Sequence, residues 1–166
     1  MAPMFRLKRA LVGLRRGLAY SSVLALALVS GAQRRLLVEA LALARELPAR
    51  LEQPLPAALL GLTPPAQPQA LSLDATRAIV DALSAFGAGR PLGICLRRSL
   101  LRYHFLQRAG LPVVIHFGAR RQGQDIAGHA WLTLDGQPYH EKAEHVLAHT
   151  LMWSYPPVEV SPGALP

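Results

Sequence analysis

The hydrophobic period of the chain changes once, at Pro112, and that change restricts the fold more than any other feature. Before Pro112 apolar residues recur at helical spacing; after it VVIHFGARR is β-branched and apolar, and HAWLTL alternates. Helices followed by strands imply an α+β arrangement with a small antiparallel sheet. A length of 166 residues allows one compact domain plus an extra N-terminal element. Apolar residues make up 51% of the chain and aromatics only 6%, so the core must be mostly Leu, Ala and Val, a helix-rich palette.

The first helical region is expected to run to about Gln53, with Leu36, Leu37, Ala40, Leu41, Ala44 and Leu47 as its packing face. LEQPLPAALLGLTPPAQPQA then reads as a Pro-rich connector with at most a short helical turn around Pro56 to Leu60. A second helix is signalled by SLDATRAIVDALSAFGAGR, with Ser72 or Asp74 as N-cap, Gly87 or Gly89 as stop, and Ala75, Ile79, Val80, Leu83 and Phe86 on one face. A third is expected from near Cys95 to Gly110 and Pro112. RQGQDIAG reads as a loop or hairpin connection between the strands, LDG as a turn, and QPYHEKAEHVL as a further strand before a less regular tail. The expected organisation is an N-terminal helical region and connector over 1–70, and a core over 71–166.

Charge is unevenly placed. Of the net +8, the first fifty residues carry nine basic groups against Glu39 and Glu46, a net of +7. This basic third has no interleaved aromatics, zinc pattern or recognition helix, which argues against nucleic-acid binding. The run from Leu18 to Ala32 is uncharged and follows basic residues, as in a signal peptide, yet its fifteen residues fall short of the ~20 that span a bilayer. It continues without a turn signal into the amphipathic stretch that follows. The first expectation is therefore a helical packing element, with membrane-surface contact and a cleaved signal as alternatives.

A lone cysteine excludes an intramolecular disulfide and the multi-cysteine zinc patterns, and points to a reducing compartment. Cys95 follows a Pro/Gly turn and opens a helix, where backbone N–H groups and the helix dipole favour a nucleophilic thiolate and can bind an oxyanion. Gly93 is expected to permit a tight approach there. The bland alternative is a buried, inert thiol. His129 tilts the balance: GHAW opens a strand and offers an imidazole base, with Trp131 on the same face to shield it.

Such a base needs a partner to fix its tautomer, and Asp135 and Glu141 both follow it. If Leu134-Asp135-Gly136 forms a three-residue loop, Thr133 pairs with Gln137 and His129 faces Glu141, about 5 Å away on one sheet face. Asp135 in the turn would lie on the order of 20 Å from His129. A two-residue Asp-Gly turn would instead put Lys142 opposite His129.

The run CLRRSLLRYHFLQRAGLPVVIHFGARR followed by GHAWLTLDGQPYHE resembles the transglutaminase-like, papain-like leader peptidases of lasso-peptide biosynthesis, over about Leu92 to Glu141. The resemblance implies Cys95 as nucleophile, His129 as base and a carboxylate third, usually Asp, in whose place Glu141 stands, with Asp135 as the fallback. It further implies a cytosolic bacterial enzyme that removes the leader from a ribosomally made precursor. A separate leader-recognition protein would assist it and a macrocyclising ligase would follow. Some relatives are reported to use ATP, but nothing here resembles a P-loop, and no cofactor or metal is expected.

Arg97, Arg98, Arg102 and Arg108 read as a solvated face of the Cys95 helix, and Ser99 as a local packing or backbone-bonding residue. His104, His116, His140, His145 and His149 lack a ligand set, although His145 and His149 are spaced i, i+4. Competing functions are acyl transfer to an amine by the same triad, a catalytically silent peptide-binding adaptor, and a membrane-associated scaffold.

Overall fold

The computed structural model describes residues 2–157, with side chains from residue 12 onward. Helix α1 spans Ala2–Val29 and α2 spans Gly31–Arg50. The helical region is thus not continuous: Ser30 leaves the helical conformation and its hydroxyl accepts from the Gln33 N–H, so Ser30-Gly31 acts as the start signal of a new helix. On α2 Leu36, Ala40, Ala44 and Leu47 of the expected stripe are buried, Leu37 and Leu41 are part-buried, and Leu43, outside the expected stripe, is buried as well. Helix α3, Leu55–Gly61, is the short turn expected within the Pro-rich segment.

Helix α4, Leu73–Ala85, is capped by the Ser72 hydroxyl, which accepts from Ala75 N–H at 3.2 Å. It ends where Gly87 takes φ 97° and the Ala88 N–H returns to the Leu83 carbonyl. Its Ile79, Val80 and Leu83 are buried, while Phe86 is exposed. Helix α5, Ile94–Arg108, is the centre of the molecule, with α2 and α4 on one side and the sheet on the other. Leu100, Leu101, Tyr103, Phe105 and Leu106 are all nearly inaccessible and join α2, α3, α4 and the strands in one core.

Because α5 is enclosed, its arginines do not form a solvated face. Arg97 is buried and donates to the carbonyls of Ser84 and Leu92, satisfying the end of α4. Arg102 is buried and makes a bidentate pair with Asp81 of α4 at 2.7 and 2.6 Å. Arg108 reaches Glu39 of α2 at 2.9 Å.

The sheet is antiparallel in the order β3-β2-β1-β4: β1 Val114–Gln122, β2 Asp125–Leu134, β3 Gln137–Pro138 and β4 Thr150–Tyr155. β1 and β2 run further than expected, since their connection is only Gly123-Gln124, with Gly123 at φ 65°. The expected third strand shrinks to two residues, residues 139–142 leave the sheet as an irregular bend, α6 spans Ala143–Leu147, and the tail supplies β4. Among the described residues this is an α+β fold of six helices and one four-stranded antiparallel sheet, with a helical N-terminal region.

Candidate active site

Cys95 is the second residue of α5 and half-buried. Its helix begins at Gly93, where no side chain caps the first turn. A Cβ on Gly93 would meet nothing within 4 Å, so this glycine is not needed for a tight approach; it leaves the N–H groups of the turn open. One turn on, Ser99 donates to the carbonyl of Ala130 at 2.8 Å, pinning α5 to β2 at the residue after His129.

His129 sits third in a column of four rings. His116 stacks on Trp131 at 5.4 Å, Trp131 on His129 at 5.8 Å, and His129 on His149 at 4.8 Å. The column is anchored at its far end, where His116 hydrogen-bonds the hydroxyls of Ser154 and Thr133 at 2.7 and 2.8 Å. β1, which carries His116, lies between β2, which carries Trp131 and His129, and β4, which His149 immediately precedes, and it contributes Gly118 opposite His129. A Cβ there would fall 2.8 Å from both the Trp131 ring and the Thr150 carbonyl, so the column requires glycine at this position. Burial pushes the His129 pKa below the ordinary histidine value; Glu141 opposes this, while His149, Arg98 and His145 add to it. At neutral pH the imidazole is therefore in its neutral, proton-accepting form.

Glu141 reaches His129 by a route other than the expected one. The turn has two residues, Asp135 at φ 51° and Gly136 at φ 76°, so Leu134 pairs with Gln137 and Thr133 with Pro138. Asp-Gly suits this turn because both central positions need positive φ. Continued as a ladder, that register would have turned Glu141 to the wrong face. The ladder stops instead: Pro138 has no N–H, Tyr139 makes one last bond to the Leu132 carbonyl, and His140 at φ 49° swings the chain out of the sheet. Glu141 then returns with Oε2 4.0 Å from His129 Nε2, a buried nitrogen without a hydrogen-bond partner. Asp135 stays in the exposed turn, and Lys142 is the N-cap of α6, 3.1 Å from Glu144.

Both carboxylate oxygens of Glu141 have further partners. Oε2 accepts from Arg98 Nη2 at 3.3 Å, and Oε1 lies 3.3 Å from His145 Nδ1. Arg98 is three residues after Cys95, on the same face of α5. Arg98, His145 and His149 were not singled out as site residues from the sequence. The signal that could have found the histidines is the i, i+4, i+8 spacing of Glu141, His145 and His149, carried here by α6 and its flanks. Among the described residues no group of three or more His, Cys, Asp or Glu could hold a metal ion.

The structure thus joins an imidazole and a carboxylate to the helix whose start carries the thiol, residue types that nucleophilic acyl transfer uses. A family model described as the transglutaminase-like superfamily matches residues 34–154, about three quarters of the chain. The chain belongs to the transglutaminase-like superfamily. That superfamily includes cysteine peptidases and acyltransferases, and its members are generally cysteine-dependent enzymes. The match opens within α2 and closes in β4, so it contains Cys95, His129 and Glu141 and leaves α1 outside. No curated protein and no solved structure matches the chain.

Proposed function

We propose that this transglutaminase-like protein is a cytosolic cysteine peptidase that removes the leader from a ribosomally synthesised lasso-peptide precursor. Cys95 is the nucleophile, His129 the base and then the acid, and Glu141 the group that orients His129. The observation that carries the reading is the tie of both partners to the Cys95 helix: Arg98 holds Glu141, and Ser99 holds the strand at His129. The leader and the lasso context rest on the CLRRS and HAWLTLDG motifs and their spacing.

In this scheme Nε2 of His129 faces Glu141 and Nδ1 takes the Cys95 proton. The sulfur bonds to the scissile carbonyl carbon, and the open N–H groups at the start of α5 receive the oxyanion. The C–N bond then breaks, His129 returns the proton to the leaving amine, and one part of the precursor stays on sulfur as a thioester. Water, deprotonated by His129, attacks the thioester, releases the carboxylic acid and regenerates the thiol. Arg98 acts through Glu141 as a positioning residue. A separate leader-recognition protein presents the precursor, and a macrocyclising ligase takes the core peptide.

The test is mass spectrometry of a leader-bearing precursor incubated with wild type, Cys95→Ala and Glu141→Ala, with and without a leader-recognition protein. Wild type should give two fragments whose masses sum to precursor plus one water, Cys95→Ala none, and Glu141→Ala a residue of the wild-type rate. An amine adduct in place of the acid would identify acyl transfer. Equal cleavage by Cys95→Ala would end the mechanism, and no cleavage with the partner present would favour a binding adaptor.

A further inference from the structure

Helix α1 contains an 18-residue stretch, Val12–Val29, of mean hydropathy 1.4, of which only 6% is buried. The packing role expected for this segment holds only on one side. Ala27 is fully buried, and Val23 and Leu24 pack on the core, fixing the C-terminal half of α1 along the domain. On the opposite side Leu14, Leu18 and Val29 are 61%, 63% and 84% exposed, with Ala25 on the same helical stripe and the exposed Ser21 and Ser22 as its only polar members. Leu26 and Leu28, at 66% and 57%, flank that stripe.

A helix apolar on both sides needs a cover on both, and the domain supplies one. Charge identifies the other. Residues 1–38 hold seven Lys and Arg and no Asp or Glu; Arg15-Arg16 lie within the first turn of the exposed stripe and Arg34-Arg35 follow its end in the sequence. Apolar side chains between clusters of positive charge match the boundary between the acyl chains and anionic headgroups of a bilayer. α1 also lies outside the residues matched by the superfamily.

We propose that α1 lies in the plane of an anionic membrane surface, with its outer stripe in the headgroup–acyl boundary and its inner side on α4. Burial of Ala27 argues against both a spanning helix and a cleaved signal, since either would remove α1 from the core that covers it. The inference stands independently of what Cys95 does.

The full chain would be floated with vesicles of phosphatidylcholine alone and of phosphatidylcholine with phosphatidylglycerol, at low and high salt. Wild type should float with the anionic vesicles and lose most of that binding at high salt. Leu14→Glu/Leu18→Glu, whose positions are exposed, should keep the wild-type circular dichroism and melting temperature and lose about tenfold or more in vesicle affinity. Arg15→Gln/Arg16→Gln should lose roughly fivefold per charge on anionic vesicles only. Absence of flotation by wild type would overturn the proposal, as would equal flotation by the Glu variant. Flotation that resists high salt and alkaline extraction would replace it with a spanning helix. A concentration-dependent dimer abolished by Leu14→Glu/Leu18→Glu, without vesicle binding, would replace it with a contact between copies of the chain.

Discussion

Arg102→Leu should destabilise the fold by about 3–5 kcal/mol, the usual cost of leaving one member of a buried ion pair alone. The two side chains are 7% and 9% exposed and meet through two parallel bonds of 2.7 and 2.6 Å, so water does not replace the lost donor. One offset exists: Arg77 Nη1 lies 3.5 Å from the same Asp81 carboxylate and is itself 26% exposed. A single partly solvated contact restores roughly 1 kcal/mol, which puts the expected loss near the lower end, about 3 kcal/mol. Removing both charges in Asp81→Leu/Arg102→Leu should cost less than Arg102→Leu alone, because no buried charge is left unpaired. Urea unfolding of wild type, the two single variants and the double variant gives the coupling directly. A loss below about 1 kcal/mol for Arg102→Leu would refute the reasoning, and so would a double variant that costs the sum of the singles.

Four further outcomes follow from the site. In an imidazole NMR titration, Glu141→Gln should lower the His129 pKa and Arg98→Met should raise it, because Glu141 opposes and Arg98 assists the downward push of burial; shifts of the same sign would show that the carboxylate is not poised between them. Gly118→Ala should cost about 1–3 kcal/mol in denaturant unfolding, since its Cβ meets a backbone carbonyl and the Trp131 ring at 2.8 Å. His140→Val, a β-branched residue at φ 49°, should lose about 1–3 kcal/mol by the same assay and move the His129 pKa as Glu141→Gln does, whereas His140→Gly should do neither. His104, His116 and His129 all have pKa values lowered by burial from the ordinary 6.5, so the unfolded chain takes up protons first as pH falls. Stability should be full above about pH 6.5 and decline below it by at most ~1.4 kcal/mol per pH unit per histidine; His116→Gln should flatten the decline.

The helices were legible where their signals are local, whereas the break between α1 and α2 was not, because Ser30-Gly31 sits inside an otherwise uninterrupted helical pattern. Ser72 caps α4, Gly87 stops it, and Leu36 to Leu47 repeat every three or four residues on α2, all without reference to a neighbour. The arginines of α5 were misread because the same spacing that describes a solvated face describes a helix enclosed on both sides; only the placement of Asp81 and of the Ser84 carbonyl distinguishes them. β4 was missed because Thr150, Leu151 and Met152 are exposed at the sheet edge and leave no alternation to read. Glu141 was chosen on a three-residue loop that does not form. The proximity arises from the break at His140, a conformation that propensity does not reveal in a histidine.

That break accounts for how Glu141, at the place where the sequence resemblance implies an aspartate, comes to lie beside His129. A residue on a ladder is placed by its strand, whereas Glu141 is placed by what its carboxylate touches. Its strongest fixed partner is Arg98, a permanent cation at 3.3 Å, while His129 waits at 4.0 Å. The extra methylene lets the carboxylate meet Arg98 on one side and His145 on the other without leaving the imidazole. All three groups are therefore referenced to one helix: Cys95 sits on α5, Glu141 is held by Arg98 of α5, and His129 is held through the Ser99 bond to Ala130. Contacts that fix α5, such as Arg97 on Ser84 and Arg102 on Asp81, then govern the site without touching it, so loosening them should disturb all three groups together.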